Sequence, residues 1–453
     1  MRVPPGAFRY WQSDIGNPRG GTITVKNQNM KKIAVVGAFA LLFSGLAFSQ
    51  AVFSIVKIPG TNPNSLIAIS NSGQVVVNSV AQGSYQISIW NRISGAQSLE
   101  LIGTNSTAAA INSANDVVGA GDPNDSGYPQ AFFWSPTQGV EWMGTLGGGL
   151  STASGINDAG AVVGFADTSA NLQHAFLWTQ GSGMQDLTPN VTSKGGSTAM
   201  AINSSSQVVG YYFPNGSNNT TGFTWTQAGG LQNLGTVGTL AFAINDAGTV
   251  VGQSPVTSGY KHAFSWTQAG GMIDLGTLTG GVESSALSVN NKGWIAGTSL
   301  LSTEKGYLHG FLWTPSAGMK DFTVLAGLAS GQQIYSLQVN DAGVIAISTN
   351  KGGSLLVPKM TAKFTSSANP SVVGQPVTFK ATVTSIAGPP PDGDTVQFLV
   401  SGIVVGSGTL QGGVAQFTTS TIAVGSHPIA AEYSGDGNYL PTKYNAFTQV
   451  VNQ

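Results

Sequence analysis

The sequence predicts an all-β chain, and three observations carry that prediction. A turn-centred stretch recurs seven times along the 453 residues, at steps of 41 to 50. Each complete unit holds four short apolar runs separated by turn residues. The last unit is one run short, and a single run precedes the first. Four strands repeated every 40 to 50 residues, roughly, belong to a propeller blade or a solenoid unit. The spare run decides between them, because it can close a ring, whereas a stacked β-solenoid would need capping units. The expected fold is a seven-bladed β-propeller closed by an N-terminal strand, with a β-sandwich behind it.

The clearest unit starts at Ala243-Ile244-Asn245-Asp246-Ala247-Gly248-Thr249-Val250-Val251-Gly252. Asn, Asp and Gly tolerate tight turns, and Val-Val resumes an extended strand. Its four runs are Leu240 to Ile244, Thr249 to Gln253, His262 to Trp266 and Gly271 to Leu275. The copies are marked by Asn71, Asn112, Asn157, Asn203, Asn245, Asn290 and Asn340, with Trp90, Trp134, Trp178, Trp225, Trp266 and Trp313 in step.

Before the first unit come three segments. Residues 1–29 fit nothing downstream and read as a misplaced start or a disordered leader. Residues 30–49 read as a secretory signal peptide: Lys31-Lys32, an apolar core from Ile33 to Phe43, then Ala47-Phe48-Ser49. The rival reading is an uncleaved signal-anchor, although the apolar stretch is short for a membrane span. Val52 to Ile58 follows as the spare strand. The seventh unit offers Tyr335 to Val339, Val344 to Ser348 and Leu355 to Val357, so Val52–Ile58 is expected beside Leu355–Val357. Residues 50–360 are thus assigned to the propeller.

Residues 361–453 alternate apolar and polar residues in Val377 to Val383, Thr395 to Leu399, Ile403 to Gly408, Val414 to Thr418 and Ile429 to Tyr433. About 90 residues with some seven strands fit an immunoglobulin-like sandwich without its inter-sheet Cys pair.

Composition narrows the chemistry. There is no Cys, so there is no disulfide, thiolate nucleophile or Cys-ligated zinc. Charged residues make up 8%, against 62 Gly, as in a turn-rich β protein. Without the first 49 residues (six basic, one acidic) the 18 basic and 19 acidic residues fall to 12 and 18, roughly −6 net. A mildly acidic chain with no basic stripe disfavours nucleic acid.

The repeats resemble the bacterial HAF extracellular repeat family. His-Ala-Phe stands at 174–176 and 262–264, with His309-Gly310-Phe311, Gln130-Ala131-Phe132 and Thr221-Gly222-Phe223 as variants. The resemblance implies a secreted or surface location and no particular activity. Ser367-Ala368-Asn369-Pro370 to Phe379 and Ala431-Glu432-Tyr433-Ser434-Gly435-Asp436-Gly437-Asn438-Tyr439 resemble a bacterial Ig-like domain, which implies a spacer or adhesive module.

No residue is nominated as catalytic, cofactor-binding or metal-binding. His174, His262 and His309 keep repeat symmetry and read as strand-start residues bonded to backbone. Asp158, Asp246 and Asp341, and likewise Asp186, Asp274 and Asp321, read as turn residues bonding their own backbone. Asp122 to Gly127 has the alternating oxygens of a calcium loop but no acid at its far end. Trp142, Trp294 and Tyr211-Tyr212-Phe213 lie off the common pattern. Tyr211, Tyr212 and Phe213 are the candidate ligand contacts, because a loop, Pro214 to Thr220, follows them directly.

The function expected is non-catalytic binding or adhesion outside the cell or on its surface, through the propeller's loop face, to a glycan or a surface protein. Alternatives are a hydrolase or lyase acting on extracellular polysaccharide, for which Glu141, Glu283 and Glu304 are the unrepeated acids, and a structural spacer. No cofactor, nucleic acid or membrane span in the mature chain is expected.

Overall fold

The computed structural model describes residues 51–453, apart from 64, 66, 82, 83, 100–102, 303–307 and 330. The leader and signal-peptide readings lie outside the described residues. Among the described residues the chain is all-β, with one short helix at Phe322–Ala326.

Seven four-stranded antiparallel sheets follow one another along the chain. The fifth is typical: Leu240–Ile244, Val250–Pro255, Lys261–Thr267 and Gly271–Gly276, paired in that order. Six sheets are built of consecutive strands. The seventh contains Ile334–Val339, Ile345–Thr349, Gly352–Pro358 and, outermost, Phe53–Lys57 from the N-terminal side. Phe53 pairs with Pro358 and Lys57 with Ser354, so the expected pairing of Val52–Ile58 with Leu355–Val357 is present.

Consecutive antiparallel strands put the first–second and third–fourth turns at one end of each sheet. The second–third turn and the crossover to the next sheet lie at the other. The first end is the turn end, the second the crossover end.

Apolar clusters lie between successive sheets, and their order is cyclic. One joins Ala68 and Val76 of the first sheet to Val117 and Phe132 of the second. Others continue from sheet to sheet, and the last joins Val344 and Leu355 of the seventh to Ile69 and Val75 of the first. The Phe of the third-strand motif fills these clusters: Phe132, Phe176, Phe223, Phe264 and Phe311 are fully buried. Before it stands Ala131, Ala175 or Ala263, whose N–H donates to a Ser hydroxyl on the next sheet's inner strand, Ser151, Ser197 or Ser284 respectively (2.8 Å each). A larger side chain there would hold the sheets apart.

The Gly of the Val-Val-Gly motif has a different cause. The inner strands of sheets two to six carry a β-bulge three residues before the turn Asn, for example between Ala153 and Gly155. The bulge drives a carbonyl into the second strand. A Cβ on Gly119, Gly164, Gly210, Gly252 or Gly297 would lie 1.9–2.1 Å from it. Sheets one and seven have Val77 and Ile347 at this place, and their pairing runs through without a shift there. Gly and bulge therefore occur together.

Residues 361–453 form two further sheets. One has three strands, Thr361–Ser366, Val377–Thr384 and Val414–Thr419. The other has five, in the order Ser371–Val372, Thr442–Asn452, Gly425–Tyr433, Thr395–Val400 and Ile403–Thr409. Phe379, Phe398, Ile429 and Tyr433 meet in the core between them. The three strands absent from the sequence reading are Thr361–Ser366, Ser371–Val372 and Thr442–Asn452.

Candidate binding groove and the repeated polar positions

The turn Asn residues form a continuous polar circuit. The side-chain amide of Asn112 donates to the carbonyl of Asn157 (3.3 Å), Asn157 to Asn203 (3.0 Å), Asn203 to Asn245 (3.1 Å) and Asn245 to Asn290 (3.0 Å). Asn290 then donates to Asn340 (2.9 Å), and Asn340 to Ser70 (3.0 Å), which returns the circuit to the first sheet. Each of these Asn also bonds its own turn; Asn245 Oδ1 accepts from Thr249 N–H (2.9 Å).

Two sequence expectations are corrected here. The first copy is marked by Ser70, not Asn71: Ser70 N–H donates to the Gln74 carbonyl (2.8 Å) as Asn245 N–H does to Thr249 (3.1 Å). Asn71 occupies the place of Asp246. The carboxylates of Asp158, Asp246 and Asp341 bond neighbouring sheets' turns instead of their own backbone. They accept from the preceding sheet's turn, at Ser113 N–H (2.9 Å), Ser204 N–H (2.9 Å) and Asn291 N–H (2.7 Å). Burial pushes the Asp246 carboxyl up, but the Ser204 and Asn291 donors outweigh it and hold it below the ordinary carboxylate range.

The repeated His and Asp are two halves of one pair. His174 Nδ1 meets Asp186 (2.8 Å), His262 meets Asp274 (3.0 Å) and His309 meets Asp321 (2.9 Å). The expected backbone bonds are present at Asp186, which accepts from Thr188 N–H (2.8 Å), and at Asp274, which accepts from Gly276 N–H (2.8 Å). The His–Asp pairing is additional, and it arises because the third and fourth strands lie side by side. His174 is buried, and its Nε2 also meets the carbonyl of Val191 (2.8 Å). No group of three His, Asp or Glu is placed to hold a metal among the described residues. The Asp122 loop is satisfied internally: the carboxylate accepts from Asn124, Ser126 and Gly127 N–H at 2.5–3.2 Å. Burial pushes that carboxyl up, and those donors more than reverse it, leaving it below the usual range.

The third and fourth sheets line a groove of about 630 Å³ that opens at the crossover end, at Asp186–Val191, and runs along the fourth sheet to Gly230 and Leu231 near its third–fourth turn. Its walls are the connection Asp186–Val191, the turn at Pro214 and Asn215, and the rings of Tyr212 and Trp225. His174 holds Val191, and Asn215 Oδ1 accepts from Thr192 N–H (2.8 Å), so the two loops are tied together. Of the three candidate contacts, Tyr212 lines the groove, half-buried, with its hydroxyl donating to Asn233 (3.1 Å). Tyr211 lies one place earlier on the same strand, on the opposite face. Phe213 packs over Gly195, where a Cβ would come within 2.4 Å of its ring. Asn190 and Asn215 were not singled out by the sequence, and Trp225 was read there as a repeat marker only. The signal was the ten-residue connection between Asp186 and Ser197, longer than the other sheet-to-sheet connections except the helix-containing one from Asp321 to Ile334.

The off-pattern tryptophans are core: Trp142 packs edge-on against Phe132, and Trp294 is buried. Glu141 lies on the outer strand of the second sheet and Glu283 on the inner strand of the sixth, so no acid pair converges from them. Glu304 lies outside the described residues. No described helix is long and apolar enough to cross a membrane.

No curated protein matches the chain. Among solved structures, a streptogramin B lyase is 14% identical with a TM-score of 0.46, over 69% of this chain and 100% of that one. A virginiamycin B lyase from Staphylococcus aureus, solved with quinupristin, is 12% identical with a TM-score of 0.45, over 67% and 99%. The β-propeller domain of the Trilobed protease from Pyrococcus furiosus is 10% identical with a TM-score of 0.45, over 68% and 96%. Residues 364–452 match the family of bacterial Ig-like domains, group 3.

Proposed function

We propose that this chain is an extracellular or surface-displayed binding protein, and that its seven sheets are the blades of a seven-bladed, HAF-type propeller whose crossover end receives a glycan. The groove between the third and fourth sheets is the observation that carries this reading. An aromatic face, Tyr212, stands beside uncharged hydrogen-bonding groups on Asn190 and Asn215, a combination suited to a sugar ring's apolar face and hydroxyl edge. Tyr85, Tyr128 and Tyr260 are exposed at the same end of the first, second and fifth sheets, which gives a polymer further rings to rest on. The signal peptide at 30–49 and the Ig-like module at 361–453 support export.

The test is a glycan array probed with the secreted chain, followed by titration of the best hit against Tyr212→Ala and Asn215→Ala. Binding weakened roughly tenfold or more by either substitution supports the reading, since that factor corresponds to about 1.4 kcal/mol. A hit indifferent to both, or no hit, refutes the assignment to this groove.

A further inference from the structure

The Ig-like module touches the ring through its Ser434–Tyr439 loop, the segment the sequence singled out, and the contacts are not those of a tether. The ring and the module belong to one compact unit. Asn438 reaches the join between the seventh and first sheets: its Oδ1 accepts from Asn340 (2.7 Å) and its Nδ2 donates to the Asn71 carbonyl (3.0 Å). Asn340 is the last donor of the Asn circuit, and Ser70, which follows it, has no amide to pass the circuit on. Arg92, in the third–fourth turn of the first sheet, donates to the carbonyls of Asp436 and Tyr439. The Tyr439 hydroxyl donates to the Ala342 carbonyl (3.0 Å).

Backbone also meets backbone. A Cβ on Gly437 would lie 2.6 Å from the Ser72 carbonyl oxygen, and one on Gly73 2.8 Å from Gly437. A second patch lies on the sixth and seventh sheets. Lys292 Nζ donates to the Ala387 carbonyl (2.6 Å), and a Cβ on Gly343 would lie 2.7 Å from that of Ala387, which packs with Trp294 in one cluster. All these ring residues lie in turns at the turn end of the first, sixth and seventh sheets.

We propose that the Ig-like module is a rigid clasp on the ring: Asn438 bridges the sheet that the N-terminal strand completes and the sheet that follows it, and the module occupies the turn end. Two patches on three sheets resist hinging, because rotation about either breaks the other. The buried Asn340–Asn438 bond and the partly buried bonds to main-chain carbonyls fix the loop's register, and the glycine contacts leave no room for water where they occur. The crossover end, with its groove, is then the end left open. This inference concerns the module's attachment and does not depend on any ligand.

The chain lacks Cys, so two introduced thiols can be labelled without background. Ser182→Cys on an exposed turn of the third sheet and Ile403→Cys on the module's edge strand carry spin labels in the full chain, and their separation is read by pulsed dipolar spectroscopy. The clasp requires one narrow distance distribution. Gly437→Val, which drives a side chain into Ser72, should broaden it, as should Arg92→Ala, which acts from the ring side. Thermal unfolding followed by tryptophan fluorescence shows that the ring is folded in each variant, since residues 361–453 contain no Trp. A broad distribution in the doubly labelled parent chain overturns the proposal. So does an unchanged narrow one in both folded variants.

Discussion

Replacing Gly164 by Ala distinguishes the bulge account from ordinary strand propensity, because the two predict opposite signs. Ala is favoured over Gly within a strand by roughly 0.5–1 kcal/mol, so propensity alone makes the variant more stable. The structure says otherwise. The new Cβ would lie 2.0 Å from the Thr152 carbonyl oxygen and 2.9 Å from the Ala153 Cα. Real Cβ contacts do not fall below 3.0 Å, so backbone must yield by about 1 Å. Gly164 is not among the positive-φ residues, so the clash is the whole effect. Overpacking of this kind costs about 1–3 kcal/mol or more, and with both neighbours in main chain the upper part of that range applies, for a net loss near 2 kcal/mol. At about 2.1 cal/mol/K per residue and roughly 400 residues, unfolding entropy is ~0.8 kcal/mol/K, so Tm falls by about 2–3 °C. The assay is thermal unfolding followed by tryptophan fluorescence, to which residues 361–453 contribute no Trp. A Tm equal to or above that of the parent would refute the argument.

Asn157→Ala strands the Ala161 N–H and leaves the Asn203 carbonyl with Ser206 N–H alone, and should cost roughly 1–3 kcal/mol by denaturant titration; Asn157→Asp keeps the acceptor but turns a carboxylate toward that carbonyl, and should be no better at neutral pH. Ser70→Asn supplies the missing donor toward Asn112 and should raise stability by about 1 kcal/mol in the same titration. The Asp122 carboxyl is held below its ordinary range, so its contribution is complete above that range and lost as pH falls through the lowered value; Asp122→Asn should flatten this acid limb in a pH series of melting curves. Burial, then the nearby Asp436 and Asp394 carboxylates, push the Tyr439 hydroxyl up to about 12, with Arg92 also bonded to this loop. Its contribution is complete below about pH 10 and lost as pH rises toward 12, so the spin-label distribution should broaden in that window and Tyr439→Phe should remove that dependence.

Much of this molecule can be read from local pattern. The unit count, the four strands per unit and the pairing of Val52–Ile58 follow from periods and turn residues that act within a few positions. Tyr212 could be found because a turn of unusual length follows it. The rest required distance along the chain. Asn71 and Ser70 are indistinguishable as turn residues in the sequence, and the folded turn's Ser70–Gln74 bond together with the bond from Asn340, 270 positions away, assigns their places. His174 and Asp186 look like two independent repeats until adjacent strands bring them together. The Gly of Val-Val-Gly reads only as part of the second strand run, and its cause is a carbonyl pushed out of the neighbouring strand. The clasp is the extreme case: Asn438, Arg92 and Lys292 carry no local mark of a shared surface. Sequence alone determined how many sheets form and how each is ordered, because hydrophobic periodicity and turn chemistry are short-range. Tertiary structure decided which polar groups meet and which end stays open, because hydrogen bonds and close packing depend on atoms that only the closed ring brings within reach.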